Sequence, residues 1–310
     1  MKKFIITFLI FLIGFFLVDK LLLIIRNSAP NREADKRLEK LYKGDINSNI
    51  LILGSSRSAR DIIASQLADS LKTTVENLGF PGSGVEFHDY LLTEIIKNSK
   101  NKPKLIILVV DDQDELISSG SRLNFRYDRL YPLVKYDQAL TKLIEKGEKN
   151  YWLSKLFIVH QMSIDNFNLS KKHFRSLDTV LLDGSMPISF TDKSFSGVYS
   201  NNIAYYNKLK ETELAKKSFL NIINTCNANN IKLLVCCPPN YYKPTIGFYD
   251  RINELIANKA NFFIHDTINY PFSKEAKYYY DDVHLQKNGA IIFTNEVLAY
   301  IKKCDLIKNH

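Results

Sequence analysis

Asn49-Ile50-Leu51-Ile52-Leu53-Gly54-Ser55-Ser56-Arg57-Ser58 decides how the rest of the chain is read. Five residues of a short, continuous apolar run end at a glycine, and small polar residues follow. A run of this length, bounded by turn residues, suits a strand buried on both faces. Outward from it the same pattern recurs. Thr74 to Leu78 ends at Gly79, Leu105 to Val110 ends at Asp111, Ile231 to Cys237 ends at Pro238-Pro239, and Asn261 to His265 is the last. Helical patterns lie between the runs, over Ala59 to Ser70, Phe87 to Lys97, Lys208 to Asn227, Phe248 to Lys259 and finally Gly289 to Lys302. Strands alternating with helices predict an α/β domain with a five-stranded parallel sheet covered on both faces.

The 310 residues are 45% hydrophobic and 24% charged, which excludes a disordered chain and provides a sizeable core. Four Cys with no Cys-x-x-Cys pair exclude a disulfide-built miniprotein and argue against a structural zinc site. Cys236 and Cys237 are adjacent on a buried strand, point to opposite faces and read as small hydrophobes. The formal charge is +9, but the basic residues are scattered among acids and no nucleic-acid motif accompanies them, so no nucleic-acid partner is expected.

At the amino terminus Met1-Lys2-Lys3 precedes Phe4 to Val18, an uncharged apolar run; Asp19 and Lys20 interrupt it before Leu21 to Ile25 resumes. Phe4 to Ile25 as a helix is ~33 Å long, enough for a ~30 Å hydrocarbon core. Pro30 after Ser28-Ala29 makes a poor signal-peptidase site, so residues 1–28 are read as an uncleaved membrane anchor and 29–48 as a juxtamembrane stalk. Six Lys or Arg residues follow the run by Lys43 against two before it, which leans against export. The signal-peptide shape leans toward it. The expected topology is single-pass in the cell membrane, with a cytoplasmic N-terminus and an extracytoplasmic domain.

Residues 49–310 form the expected catalytic domain, with about 115–207 as an inserted cap between the third and fourth strands. The insertion is rich in Tyr and Phe, holds the only Trp, Trp152, and contains Arg126-Tyr-Asp-Arg-Leu-Tyr-Pro132. A structureless loop of that length is improbable. Its aromatics read first as a small core of their own and second as a substrate surface.

Ligands of a parallel α/β sheet gather outside the carboxyl ends of its strands. Those ends carry Gly54-Ser55-Ser56-Arg57-Ser58, Asn77-Leu-Gly79-Phe-Pro-Gly82-Ser-Gly84 and Asp111-Asp112-Gln113-Asp114, while Tyr280-Asp281-Asp282-Val283-His284-Leu285 precedes the last helix. In this order and placement the set resembles the SGNH (GDSL-like) hydrolase and acyltransferase family across about Asn49 to Lys302. The matches are Gly54-Ser55-Ser56, Asn77 with Gly82, Gln113, and Asp281-x-x-His284. The resemblance implies a three-layer α/β/α sandwich with flavodoxin-like strand order, and Ser56 as nucleophile. It further implies the membrane-anchored branch associated with cell-surface polysaccharide modification. On that reading the substrate is an acylated carbohydrate or polymer, a polysaccharide-biosynthesis membrane protein is a possible partner, and no metal or organic cofactor is needed.

The chemistry of these residue types agrees. A serine hydroxyl is weak at neutral pH and needs a base, for which His284 is the candidate. Asp281 would hold the imidazole in the tautomer that leaves its other nitrogen free. The backbone N–H groups of Ser56 and Gly82, with the Gln113 amide, are the candidate oxyanion hole. Gln113 stands where the resemblance has Asn and is one methylene longer; Asp112 adds a negative charge where Gly is usual. Both motivate a rival reading, a non-catalytic binding or assembly module for polysaccharide export or modification. Arg57 reads either as a ligand for an anionic substrate group or as a solvent-facing first-turn residue. The glycines at 79, 82 and 84 do not follow the first strand as a dinucleotide fingerprint requires, and the Asp111 to Asp114 cluster as a cation site lacks partner acids on the first strand end. His88, His160, His173 and His310 have no matched partner in the sequence, and His265-Asp266 reads as a satisfied strand end.

Overall fold

The computed structural model describes residues 1–33, 35–112, 115–117, 130–148, 150–167, 179–189 and 195–307, without the side chains of 146, 147, 164 and 165. Gln113, Asp114, His173, His310 and most of the Arg126 to Pro132 motif lie outside the described residues. The chain divides into two compact units, Met1–Tyr42 with Asn124–His173, and Lys43–Leu123 with Phe174–His310. The middle of the insertion groups with the amino-terminal helix, and its remainder groups with the sheet.

The sheet unit holds five strands, β1 (Ile50–Gly54), β2 (Val75–Gly79), β3 (Leu105–Val109), β4 (Lys232–Cys237) and β5 (Asn261–Ile264). All are parallel, in the order β2-β1-β3-β4-β5. Alternate residues serve two cores. Ile50, Ile52, Leu105, Ile107, Val109, Leu234 and Cys236 pack with Phe293, Val297 and Ile301 of the last helix, α10 (Lys287–Lys303). The other face of the sheet is covered by α5 (Val85–Asn98) and α8 (Glu213–Ala228), which bury Leu91, Leu92 and Ile95, and Phe219, Ile222 and Ile223, while α9 (Phe248–Ile256) joins β4 to β5 and packs on α8. The four cysteines are free, and burial pushes the thiols of Cys236 and Cys237 up, so neither is a thiolate near neutral pH.

The helix expected over Ala59 to Ser70 is two helices, α3 (Ser56–Asp61) and α4 (Ala64–Leu71), separated at extended Ile62. Asn77, fully buried in β2, makes the break possible. Its amide donates to the carbonyls of Ser58 (2.7 Å) and Ile62 (3.0 Å), and its oxygen accepts from the Gly79 N–H (2.8 Å). Carbonyls that the break takes out of helical pairing are thereby satisfied inside the protein. The segment Asp183 to Ile188 laces the same region. Its groups bond Ala59, Ala64 and Ser65 on one side and Lys287 at the start of α10 on the other.

The amino-terminal unit is built on α1 (Lys2–Arg32), a 31-residue helix apolar and long enough to cross a membrane. With it go α2 (Arg37–Lys43), a 3₁₀ turn at Tyr131–Leu133, α6 (Leu140–Gly147), α7 (Tyr151–Leu156) and 3₁₀ turns at Ile158–Gln161 and Ile164–Phe167. Tyr42 stacks on Tyr136 with ring centroids 6.1 Å apart.

Candidate active site

β1 and β2 end in register, Gly54 beside Gly79, and the Phe80 N–H bonds the Gly54 carbonyl at 3.0 Å. The strand-to-helix turn and the Phe80–Gly84 turn therefore leave the sheet side by side. Gly54 has φ +145, and a Cβ on it would lie 2.8 Å from both the Val109 carbonyl and the Ser58 Cβ. A Cβ on Gly79 would lie 2.1 Å from Ser58 Oγ and 2.5 Å from the Ala59 nitrogen. These contacts bring the first turn of α3 down onto the sheet and leave Ser56 at its rim.

Three serines crowd this turn, with different partners. Ser55 occupies the N-cap position without capping, and its hydroxyl donates to Asp111 at the end of β3. Ser58 donates to the Ser55 carbonyl at 2.8 Å. Ser56, half-buried, lies with Oγ 2.7 Å from His284 Nε2. His284 Nδ1 lies 2.9 and 2.8 Å from the two oxygens of Asp281. Asp281 Oδ1 also accepts the backbone N–H groups of Val283 (3.0 Å) and His284 (2.8 Å). Burial works to raise the Asp281 carboxyl, but the His284 bond and charge and the two N–H donors outweigh it and lower the group to about 2. The carboxylate thus favours a proton on Nδ1 and leaves Nε2 as the acceptor facing the hydroxyl.

The imidazole is carried on a short hairpin. Tyr279 and Leu285 pair antiparallel, the Tyr280 N–H bonds the His284 carbonyl at 2.8 Å, and the Asp282 carbonyl accepts the Tyr241 N–H beyond β4 at 2.9 Å. Gly289 in α10 packs against this hairpin, where a Cβ would lie 2.6 Å from the Tyr278 carbonyl.

Beneath the turn lies a charged pair. Asp61, fully buried, accepts the Leu285 N–H at 3.0 Å and faces Arg57 Nε at 3.6 Å. Arg57 is 3% exposed and donates to the Pro239 carbonyl at 2.8 Å. This burial differs from the expectation of a solvent-facing first-turn residue. Burial pushes the Asp61 carboxyl up to about 6 against the opposing charges of Arg57 and His284, while Asp61 and Asp111 hold the buried Arg57 firmly charged.

Gly82 is exposed, with φ +80 and open space where a Cβ would be. Its glycine is demanded by the backbone conformation rather than by a close neighbour. Neither the Ser56 nor the Gly82 N–H meets an acceptor among the described residues. Asp112 accepts a hydrogen bond from the Tyr242 hydroxyl at 2.8 Å, which engages the charge that seemed out of place in the sequence.

The other histidines also have places. His88 is fully buried, with Nε2 3.0 Å from Ser83 Oγ and Nδ1 3.7 Å from Glu115, so it has the partners that sequence reading did not find. His265 Nδ1 lies 2.7 Å from Glu296, and Asp266 caps the turn that follows through the Ile268 and Asn269 N–H groups. Among the described residues no group of three His, Cys, Asp or Glu side chains is arranged to hold a metal ion. Sequence reading also missed Asp61 as a support of the site, and named Asn77 as a motif match without its bonds to Ser58 and Ile62. An acid at the end of a short helix carries no local sign that it is buried, and a strand Asn shows nothing of its partners.

No protein-family model matches the chain, and no curated protein matches it in sequence.

Proposed function

We propose that the chain is a serine-dependent O-acyl esterase or O-acyltransferase of SGNH type, acting on a cell-surface carbohydrate or related polymer. The observation that carries this reading is the 2.7 Å approach of Ser56 Oγ to His284 Nε2, with Asp281 on the far nitrogen of the same ring. As an acyl carbonyl arrives, His284 Nε2 takes the Ser56 proton and Oγ bonds the carbonyl carbon. The carbonyl oxygen becomes an oxyanion, for which the N–H groups of Ser56 and Gly82 are the proposed donors. Collapse breaks the bond to the departing alcohol, which receives the proton from His284 and leaves an acyl-serine. Water or a sugar hydroxyl then gives its proton to His284 as its oxygen bonds the ester carbon, and collapse breaks the bond to Ser56 Oγ, which takes that proton from His284 and leaves the free acid or the new ester. Exclusion of water would favour transfer over hydrolysis.

The proposed placement is in the cell membrane through α1, with a cytoplasmic N-terminus and the sheet unit outside. A serine-directed phosphonate and an aryl acetate test the chemistry. Labelling at Ser56 with turnover, both lost in Ser56→Ala, supports it. A folded protein that neither labels nor turns over any aryl ester overturns it in favour of a binding module. Protease accessibility in intact spheroplasts tests the side.

A further inference from the structure

Asp19 interrupts the apolar run of α1, yet it is 3% exposed. Its two carboxylate oxygens accept the backbone N–H groups of Ile158 (2.8 Å) and Val159 (2.9 Å), at the start of the 3₁₀ turn Ile158–Gln161. The same stretch is held at neighbouring points. Lys20 donates to the Leu156 carbonyl, Arg26 donates to the Gln161 side chain, and Phe15 lies against Phe157 with ring centroids 6.1 Å apart. Asp19 and Arg26 fall on one face of α1, two turns apart. On the opposite face Leu17, Leu21 and Ile24 are bare, each more than 60% exposed.

Depth along the helix gives this contact its meaning. From Phe4 to Asp19 is ~22 Å, short of the ~30 Å hydrocarbon thickness, so a helix entering at Phe4 carries Asp19 below the far boundary. A bare carboxylate at that depth is costly. Here it is enclosed by the backbone of the 156–161 stretch, which must therefore reach the same depth. That stretch and its neighbours present apolar side chains outward, Trp152, Leu156, Val159 and Phe167, each more than 40% exposed. Trp152, Tyr151 and Lys155 are the residue types that favour the headgroup boundary.

We infer that Tyr151–Phe167 is a second membrane element, seated in the interfacial layer of the bilayer that α1 enters, with phospholipid acyl chains covering Trp152, Leu156, Val159 and Phe167. Asp19 is the peg that holds it there. Part of the aromatic insertion is then a lipid-facing wedge rather than a substrate surface. This inference rests on α1 as a membrane span and not on the chemistry proposed for Ser56.

Trp152 is the only tryptophan, so its emission reports the position of this element in the full chain without any substitution. The protein is reconstituted in phosphatidylcholine vesicles brominated near the top of the acyl chains. The expected result is blue-shifted emission, about twofold weaker than in unbrominated vesicles and insensitive to iodide. Emission at the position of water-exposed tryptophan, quenched by iodide and not by bromolipid, overturns the inference. Alkaline carbonate extraction separates the premises. Protein that washes off overturns the anchor and the wedge together; retained protein with unquenched Trp152 overturns the wedge alone. Asp19→Leu is expected to stay in the membrane while Trp152 loses its bromolipid quenching, and unchanged quenching overturns the role of Asp19.

Discussion

The Leu285 backbone N–H donates to the Asp61 carboxylate at 3.0 Å, so the residue after the candidate base is tied to the helix that begins at the candidate nucleophile. Asp61 also balances Arg57, which has no route to solvent. Arg57→Met leaves the Asp61 carboxylate buried without the cation it faces. The expected loss is about 3 kcal/mol in urea unfolding. Arg57→Met with Asp61→Leu should recover much of it, because the double replacement leaves no buried charge stranded.

The Asp61 and Asp281 carboxyls give stability opposite pH slopes in adjacent windows. Burial holds Asp61 up at about 6, above its ordinary 3.8, so between those values the folded chain binds the extra proton and this group lowers stability as pH rises. Asp281 sits at about 2, below 3.8, so its contribution is complete above 3.8 and is lost as pH falls toward 2. Chemical denaturation across pH 2 to 6 should show Asp61→Asn flattening the upper window and Asp281→Asn the lower.

Ser56→Ala should fold as the parent does, since its hydroxyl meets only His284 among the described residues, and should lower aryl-acetate kcat/KM by about 10⁴-fold or more. Asp281→Asn should lower kcat by about 10³- to 10⁴-fold, because a neutral amide no longer selects the Nδ1–H tautomer. Equal rates for parent and variants would assign the turnover to another site.

Gly79 and Gly82 should respond differently to alanine. Gly79→Ala drives a methyl into Ser58 and the Ala59 backbone and should cost about 2 kcal/mol or more in thermal or urea unfolding. Gly82→Ala meets no atom and should cost only about 1 kcal/mol for its positive φ. Its larger effect should be on kcat, through the N–H proposed to face the oxyanion.

The sheet was legible because strands buried on both faces show as unbroken apolar runs, and Ile50 to Gly54, Leu105 to Val109 and Leu233 to Cys237 are such runs. The convergence of Ser56, Asp281 and His284 was legible because each stands at a strand end or before a helix in a short recognisable pattern. What supports them was not. Asp61 and Asp183 act through Leu285 and Ser65, 224 and 118 positions away, and burial of a polar side chain such as Asn77 leaves no local trace. The break at Ile62 was hidden because the apolar spacing continues across it, and only the Asn77 amide reveals how its carbonyls are satisfied. Asp19 looked like a flaw in an apolar run because its partners come from the insertion.

The hydroxyl and the imidazole are separated by 228 positions in the chain. A ribosome must therefore add 228 residues after Ser56 before the two can meet. Chains that stop before Tyr280 lack the hairpin bearing His284, and on the function proposed above they are expected to leave an acyl ester unturned even where the early strands have formed.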